Sequence, residues 1–136
     1  MSENDDGDAA SITRKVAGRP TGYAGGENER RWKSAVRGAF SAAVLPGTTR
    51  IRVDMDFILT ADQLGRREPD LDNLIKSTID ALEGVLGRRS GTGARVEADD
   101  VRVARILASK RHGLDGEPSG ARIVVSQLPE NAIERP

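Results

Sequence analysis

The run Arg50 to Thr60 restricts the fold more strongly than any other part of the chain. Large apolar side chains occupy every second position of this run, and they are Ile51, Val53, Met55, Phe57 and Leu59. In an extended chain, residues two positions apart lie on the same face. The run therefore predicts a strand with one continuous apolar face, which other elements of the chain must cover.

Two stretches of helical periodicity can supply that cover. Apolar residues recur three or four positions apart from Trp32 to Val44, with Asn28 as a candidate N-cap, and Pro46-Gly47 is expected to end this helix. A second apolar stripe runs from Leu71 to Leu86 and is expected to end near Gly84 to Gly87. The sequence therefore predicts two amphipathic helices.

Three further strand candidates complete the pattern. They are Ile12 to Val16, Val101 to Lys110 and Ala121 to Leu128. A turn-rich link joins the last two and predicts a hairpin, whereas the glycine- and arginine-rich stretch 87–98 predicts a mobile basic loop. The order β-α-β-α-β-β predicts an α+β fold with two helices packed on a small mixed β-sheet.

The length and composition fit a single small domain. The chain has 136 residues, of which 37% are hydrophobic, which is enough for one hydrophobic core. We expect a disordered acidic tail over residues 1–10, one domain over residues 11–128 and a C-terminal tail over residues 129–136. No apolar run approaches the roughly 20 residues of a membrane span and no signal peptide is recognisable, so a soluble cytoplasmic protein is expected.

The lack of cysteine excludes several kinds of chemistry. With no Cys and a single His, His112, the chain offers no disulfide, no thiolate nucleophile and no zinc cluster. A metal ion would have to bind to oxygen atoms. Such ligands favour a hard cation such as Mg²⁺ or Mn²⁺.

Charged residues are unevenly distributed along the chain, although the formal net charge is zero. Lys and Arg together number 21, as do Asp and Glu, but the first ten residues are strongly acidic and the remainder is net basic. Basic residues cluster at Arg66-Arg67, Arg88-Arg89 and Lys110-Arg111, and Arg95 lies between the last two pairs. Such clusters can bind the phosphates of a nucleic acid, although surface arginine pairs often contact only solvent.

An acidic group lies at the start of the second predicted helix. Asp70 and Asp72 begin it, and Asp99-Asp100 precede a later strand. As regular helical residues Asp70 and Asp72 would point about 200° apart, since each residue turns about 100°. Asp70 is therefore expected to precede the helix with a cap-like backbone, which lets both carboxylates converge. Carboxylates gathered in this way repel each other unless a divalent cation neutralises them.

The same residues can also have purely structural roles, without catalysis or metal binding. Asp70 can be an N-cap, Asp72 a first-turn acid stabilised by the helix dipole, and Lys76 the salt-bridge partner of Asp72. Asp99 and Asp100 can be ordinary turn residues. The residues alone leave both interpretations open.

A second acidic pair lies on the alternating strand. Asp54 and Asp56 are two positions apart, so their carboxylates point to the same side of that strand. Because solvent-facing strand positions are routinely charged, we expect this pair to face solvent and to take no part in a metal site.

Over residues 69–111 the sequence resembles the RusA family of Holliday junction resolvases. The resemblance rests on Asp70-Leu71-Asp72-Asn73-Leu74-Ile75-Lys76, on Asp80-Ala81-Leu82-Glu83-Gly84-Val85, and on Asp99-Asp100 leading into a strand that ends with Lys110-Arg111. Gly18-Arg19-Pro20 is also similar to the family's sequence. The resemblance implies a compact α+β subunit that dimerises, with Asp70, Asp72 and Asp100 as catalytic, metal-binding aspartates and Lys76 as the active-site lysine.

The expected function follows from this resemblance. It is that of a Mg²⁺-dependent endodeoxyribonuclease of DNA recombination and repair, which resolves four-way (Holliday) junctions by paired nicks as a twofold homodimer. The candidates for DNA contact are Arg66, Arg67, Arg88, Arg89, Arg95, Lys110 and Arg111. Two alternatives stay open: a junction-binding module without catalytic activity, and a metal-dependent nuclease that acts on other branched nucleic acids.

Overall fold

A computed structural model describes residues 10–22, 26–43, 45, 50–90, 96–98 and 102–128 of the chain. For residues 88–90 and 96–98 it describes the backbone and not the side chains. The predicted tails, 1–10 and 129–136, fall outside the described residues except for Ala10. Asp99, Asp100 and Arg95 also lie outside them.

The described residues form helices and strands in the predicted order, with one additional pair of short strands. In chain order they are β1 (Ser11–Ala17), α1 (Glu27–Ala39), β2 (Ile51–Leu59), a 3₁₀ turn (Gly65–Arg67), α2 (Leu71–Asp80), α3 (Glu83–Leu86), β3 (Arg88–Ser90), β4 (Val96–Ala98), β5 (Val103–His112) and β6 (Gly120–Gln127). None of the described helices is long and apolar enough to cross a membrane.

The main sheet has four strands in the order β1-β6-β2-β5. β6 runs antiparallel to both β1 and β2, whereas β2 and β5 are parallel. A parallel pair needs a long crossover connection, and α2 lies on that connection between β2 and β5. The α+β fold and the mixed sheet predicted from the sequence are confirmed.

The core lies between one face of this sheet and the helices. The alternating apolar residues of β2 are all buried, as predicted. α1 contributes Trp32 and Val36, and its C-cap residue Phe40 is buried with them. The Trp32 ring lies 6.4 Å from that of Phe57, centroid to centroid, and its Nε1 donates a 3.0 Å hydrogen bond to Thr78 Oγ1 on α2. Trp32 on α1 therefore contacts both α2 and β2.

The predicted hairpin between the last two strands is wrong. β5 and β6 are not neighbours, because β2 lies between them and pairs with one of them on each side. The link between them passes the end of β2, where the Gly113 amide donates to the Leu59 carbonyl at 3.3 Å. A turn-rich link shows that the chain reverses direction, but it does not specify which strand fills the space between the two arms.

The helix boundaries differ from the predicted ones at several points. α1 begins after Gly26 and not after Asn28, and it ends at Ala39, several residues before Pro46. The second apolar stripe divides into α2 and the short α3, which ends at Leu86 and is followed by the C-cap residue Gly87 with a φ of 91°. Glycine adopts this left-handed conformation without the strain that a side chain would bring.

Part of the predicted basic loop is a two-stranded antiparallel ribbon. β3 pairs with β4, so that Arg88 lies opposite Ala98 and Ser90 lies opposite Val96. The prediction of an irregular loop over the whole of 87–98 is therefore wrong at both ends of that stretch. Strands of three residues are too short to show the alternation by which a sequence reveals a strand.

Candidate active site

Asp70 occupies the N-cap of α2. Its backbone is extended, with φ −66° and ψ 144°, and its carbonyl accepts a 3.1 Å hydrogen bond from the Leu74 amide. Its side chain is exposed and makes no capping hydrogen bond. Asp70 thus precedes the helix, as the rotation argument required, while its carboxylate is not used to cap the helix.

Asp72 and Lys76 lie on the first turns of α2. Asp72 is exposed, and its Oδ1 accepts a 3.0 Å hydrogen bond from the Asn73 amide. Lys76 is exposed as well, and among the described residues no ion pair joins it to Asp72. The salt bridge of the non-catalytic interpretation is therefore not formed. Both carboxylates lie at the positive end of the α2 dipole, which favours negative charge there.

A groove with a volume of about 480 Å³ opens beside Asp70. Arg66 and Arg67 reach it from the 3₁₀ turn, and Arg19 reaches it from the loop after β1. Arg66 and Arg67 are exposed and form no ion pair with a described residue. A negative ligand in this groove would meet unneutralised guanidinium groups next to the N-terminus of α2.

The loop after β1 reaches the site because Gly22 packs directly on the first turn of α2. A Cβ atom at this position would fall 2.5 Å from the carbonyl carbon of Asn73, which is closer than a side chain can approach. Arg19 on the same loop donates to both carboxylate oxygens of Asp62 at 2.8 Å, and Asp62 is also bonded to the Thr60 hydroxyl. These contacts fix the position of Arg19 at the edge of the groove.

Gln63 connects three parts of the site from a buried position. Its side chain donates to the Pro20 carbonyl at 2.7 Å and accepts from the Thr60 amide at 2.9 Å. Its own carbonyl lies 2.7 Å from His112 Nε2 at the end of β5. With only 2% of its surface exposed, Gln63 ties the loop after β1 to the ends of β2 and β5.

Strand alternation separates the two members of the Lys110-Arg111 pair. Lys110 pairs with Phe57, whose side chain lies on the helix-covered face, so Lys110 points towards α2. Its Nζ lies 2.7 Å from Glu68 Oε2 and donates to the Pro69 carbonyl at 2.9 Å. The hydrogen bond from Lys110 holds the pKa of Glu68 below its usual value, against the opposing effect of partial burial.

Arg111 points to the opposite face of the sheet. Its guanidinium binds both carboxylate oxygens of Glu117 at 2.7 Å. This bidentate pair and a hydrogen bond from the Leu114 amide lower the pKa of Glu117 to about 2. Of the two neighbouring basic residues, only Lys110 lies at the N-terminus of α2.

The second acidic pair, Asp54 and Asp56, lies away from the groove. Asp54 and Asp56 are on the sheet face that the helices leave uncovered. Asp54 accepts hydrogen bonds of 2.7 and 3.1 Å from Arg52, and Asp56 accepts one of 2.8 Å from Ser109. Both carboxylates thus have hydrogen-bond partners on neighbouring residues of the sheet.

The remaining predicted residues are described only in part. Arg88 and Arg89 lie on β3, but their side chains are outside the described residues, and so are Arg95, Asp99 and Asp100. Within the ranges that the structure describes, no group of three or more His, Cys, Asp or Glu side chains could hold a metal ion. Of the three predicted metal-binding aspartates, Asp70 and Asp72 lie within those ranges.

Several residues of the site do not stand out in the sequence. Gln63 and Gly22 belong to loops, and their roles depend on contacts with distant segments that no local pattern encodes. His112 is the single histidine of the chain, and it follows Lys110 at the two-residue spacing of a shared strand face. Arg19 lies in the Gly18-Arg19-Pro20 segment, whose similarity to the family was the one available signal.

Comparison with known proteins agrees with this arrangement. A family model described as endodeoxyribonuclease RusA matches residues 11–125, which include β1, β2, β5, most of β6, the groove, Asp70 and Asp72. No curated protein gives a match to the chain. The family model indicates a DNA-cleaving hydrolase, and its match covers most of the sequence. The chain therefore belongs to the RusA endodeoxyribonuclease family.

Proposed function

We propose that this protein is a Mg²⁺-dependent endonuclease that resolves four-way DNA junctions by paired nicks. The observation that carries the proposal is the position of Asp70 and Asp72 at the positive end of α2, beside a groove that contains Arg66 and Arg67. Carboxylates and guanidinium groups next to each other suit a site that receives both a metal cation and a phosphodiester.

The described ligands fit a hard divalent cation. They are carboxylate oxygens, and the Asp70 carboxylate is exposed and not used by a helix cap. Asp70, Asp72 and Asp100 would hold the ion, which can be Mg²⁺ or Mn²⁺. When bound, such an ion lowers the pKa of a coordinated water and stabilises negative charge on a phosphate.

The protein's own cations would bind and orient the DNA. Arg66 and Arg67 would contact backbone phosphates in the groove, and Lys76, one turn past Asp72, would offset negative charge at the phosphate that is cleaved. Arg88, Arg89 and Arg95 would extend the phosphate contacts along the β3–β4 ribbon and the segment between its strands. Phosphate contacts of this kind give affinity and position without sequence preference.

Paired nicks require two active sites. Because one subunit carries one set of these aspartates, a twofold homodimer would place two equivalent sites on opposed strands of the junction. Sedimentation of the full chain at micromolar concentration is expected to give the mass of a dimer.

The decisive experiment compares a four-way junction, a linear duplex and splayed arms, each with Mg²⁺ or with EDTA. We expect paired nicks in the junction only, dependent on Mg²⁺, and their loss in Asp70→Asn and Asp72→Asn while junction binding persists. The double variant Asp54→Asn and Asp56→Asn is the matched control and is expected to nick within a few-fold of the wild-type rate.

Other outcomes would indicate a different activity for this protein. Junction binding without nicking in Mg²⁺ would identify a catalytically inactive binding module. Equal cutting of all three DNA shapes would identify a nuclease without junction selectivity. Nicking that survives EDTA would contradict the metal dependence.

A further inference from the structure

We propose that Lys110 is a positioning residue for Asp70, and that its ammonium group acts through the backbone before Asp70 and not through a DNA phosphate. The inference rests on the function proposed above and assigns a specific task to one residue of that site. It replaces the phosphate contact that the sequence predicted for Lys110.

The ammonium group of Lys110 is directed at the two residues that precede Asp70. It lies 2.7 Å from Glu68 Oε2 and donates a 2.9 Å hydrogen bond to the Pro69 carbonyl. A lysine ammonium has three protons to donate, and these contacts use two of them. Lys110 thereby connects strand β5 to the chain immediately N-terminal to α2.

This connection matters because the segment has few other ways to be held. Pro69 has no amide proton, so its carbonyl is the polar main-chain group through which it can be bound. On the other side, the Asp70 carbonyl is fixed by the Leu74 amide at 3.1 Å. The Glu68 amide also donates to the Gly65 carbonyl at 3.1 Å. Asp70 is thus held from both directions, and on its N-terminal side Lys110 binds the carbonyl of the residue directly before it.

The surroundings of Lys110 argue against a direct phosphate contact. Only 26% of its side chain is exposed, and its charge is neutralised by Glu68 at 2.7 Å. Arg66 and Arg67, in contrast, are exposed in the groove and form no ion pair with a described residue. Their charge is available to DNA, whereas that of Lys110 is used within the protein.

The substitution Lys110→Arg separates the two roles. Arginine keeps the charge and binds phosphate at least as well as lysine, but its planar guanidinium cannot reproduce a compact ammonium between a carboxylate and a carbonyl. We expect Lys110→Arg to leave the Kd for the four-way junction and its salt dependence unchanged. We expect kcat to fall on the order of tenfold to a hundredfold, as it does when a reacting group is displaced slightly.

A measurement without DNA checks the same point. Mn²⁺ titrated calorimetrically into the full chain should bind Lys110→Arg more weakly than wild type, because the Asp70 carboxylate is no longer held in the same place. Lys15→Arg is the matched control, since Lys15 is an exposed lysine on the opposite face of the sheet. It should match wild type in kcat, junction Kd and Mn²⁺ affinity.

Two further results would overturn the proposal. One is a wild-type kcat in Lys110→Arg. The other is a drop of about 0.9 in the log–log salt slope of junction binding in Lys110→Met, which is the loss of one phosphate contact. If Lys110→Met does not fold, Lys110→Arg alone decides. If the wild-type protein cuts no DNA in Mg²⁺, that result would instead contradict the proposed function, and the present inference, which rests on it, would also fail.

Discussion

Gly22 is in direct contact with the backbone of Asn73. A Cβ atom at position 22 would lie 2.6 Å from the Asn73 carbonyl oxygen and 2.7 Å from the Leu74 amide nitrogen. This contact sets the distance between the loop that carries Arg19 and the helix turn that carries Asp72. Two of the segments that line the groove, the loop after β1 and the N-terminus of α2, therefore depend on a residue without a side chain.

Gly22→Ala is expected to destabilise the protein and to impair nicking. The added methyl group must displace the loop or the first turn of α2, and overpacking of this kind costs about 1–3 kcal/mol. Urea denaturation gives the change in the free energy of unfolding, and single-turnover nicking gives the effect on the site. Gly38→Ala is the control, because a Cβ added at this position would have no atom within 4 Å, and alanine is favoured over glycine in a helix. Equal stability of Gly22→Ala and wild type would contradict the close contact.

Arg66→Gln combined with Arg67→Gln is expected to weaken binding to every DNA shape. Each phosphate contact that is lost should reduce the slope of log K against log salt concentration by about 0.9 for duplex DNA. Fluorescence anisotropy over a range of salt concentrations measures this slope. Lys15→Gln, on the opposite face of the sheet, should leave it unchanged. A slope in the double variant equal to that of wild type would show that these arginines contact only solvent.

Thr78→Val tests the contact between α1 and α2. The substitution keeps the shape of the side chain but leaves the buried Trp32 Nε1 without its 3.0 Å acceptor. An unsatisfied buried donor costs about 1–3 kcal/mol, so the midpoint of chemical denaturation should fall. The same substitution in a Trp32→Phe background should cost less, because the donor is then gone. Full additivity of the two changes would argue against the hydrogen bond.

The ion pair between Arg111 and Glu117 should make stability depend on pH under acidic conditions. The pKa of Glu117 is lowered to about 2 from an ordinary value of 4.5. The folded state thus favours the ionised carboxylate, so the contribution is complete above pH 4.5 and is lost as the pH falls towards 2. Glu117→Gln should therefore destabilise the protein at neutral pH and make little difference near pH 2.

Denaturation of both proteins at several pH values measures that difference. Arg111→Gln removes the partner of Glu117 and should reduce the pH dependence in the same range. A constant gap between wild type and Glu117→Gln from pH 7 to pH 2 would contradict the ion pair.

The parts of this fold that the sequence predicted are those encoded locally. The alternation of β2 appears in adjacent residues, and the rotation of a helix alone placed Asp70 ahead of α2. The insertion of β2 between β5 and β6 was not predictable in this way, because it depends on which edges of β2 are free. The same holds for Gln63, whose partners Pro20 and His112 are far from it in the chain.

The pair Lys110 and Arg111 shows the limit most clearly. The two residues are adjacent in the sequence and form one basic cluster, which predicts that both contact DNA. The strand separates them, so that Lys110 meets Glu68 beside Asp70 and Arg111 meets Glu117 on the other face. A period of two, applied to β5 as it was to β2, would have separated them from the sequence alone.

Among the described strands, the edge strand β1 pairs only with β6, with Ser11 opposite Ser126. The Gln127 amide also donates to the Ala10 carbonyl at 2.9 Å, which brings the first and the last described segments of the chain side by side. During synthesis on the ribosome, β1 must wait without a strand partner until β6 has been made. Pairing of residues so far apart in the chain is slow compared with helix formation. A chain truncated before Gly120 would therefore leave β1 and one edge of β2 without their partner strand.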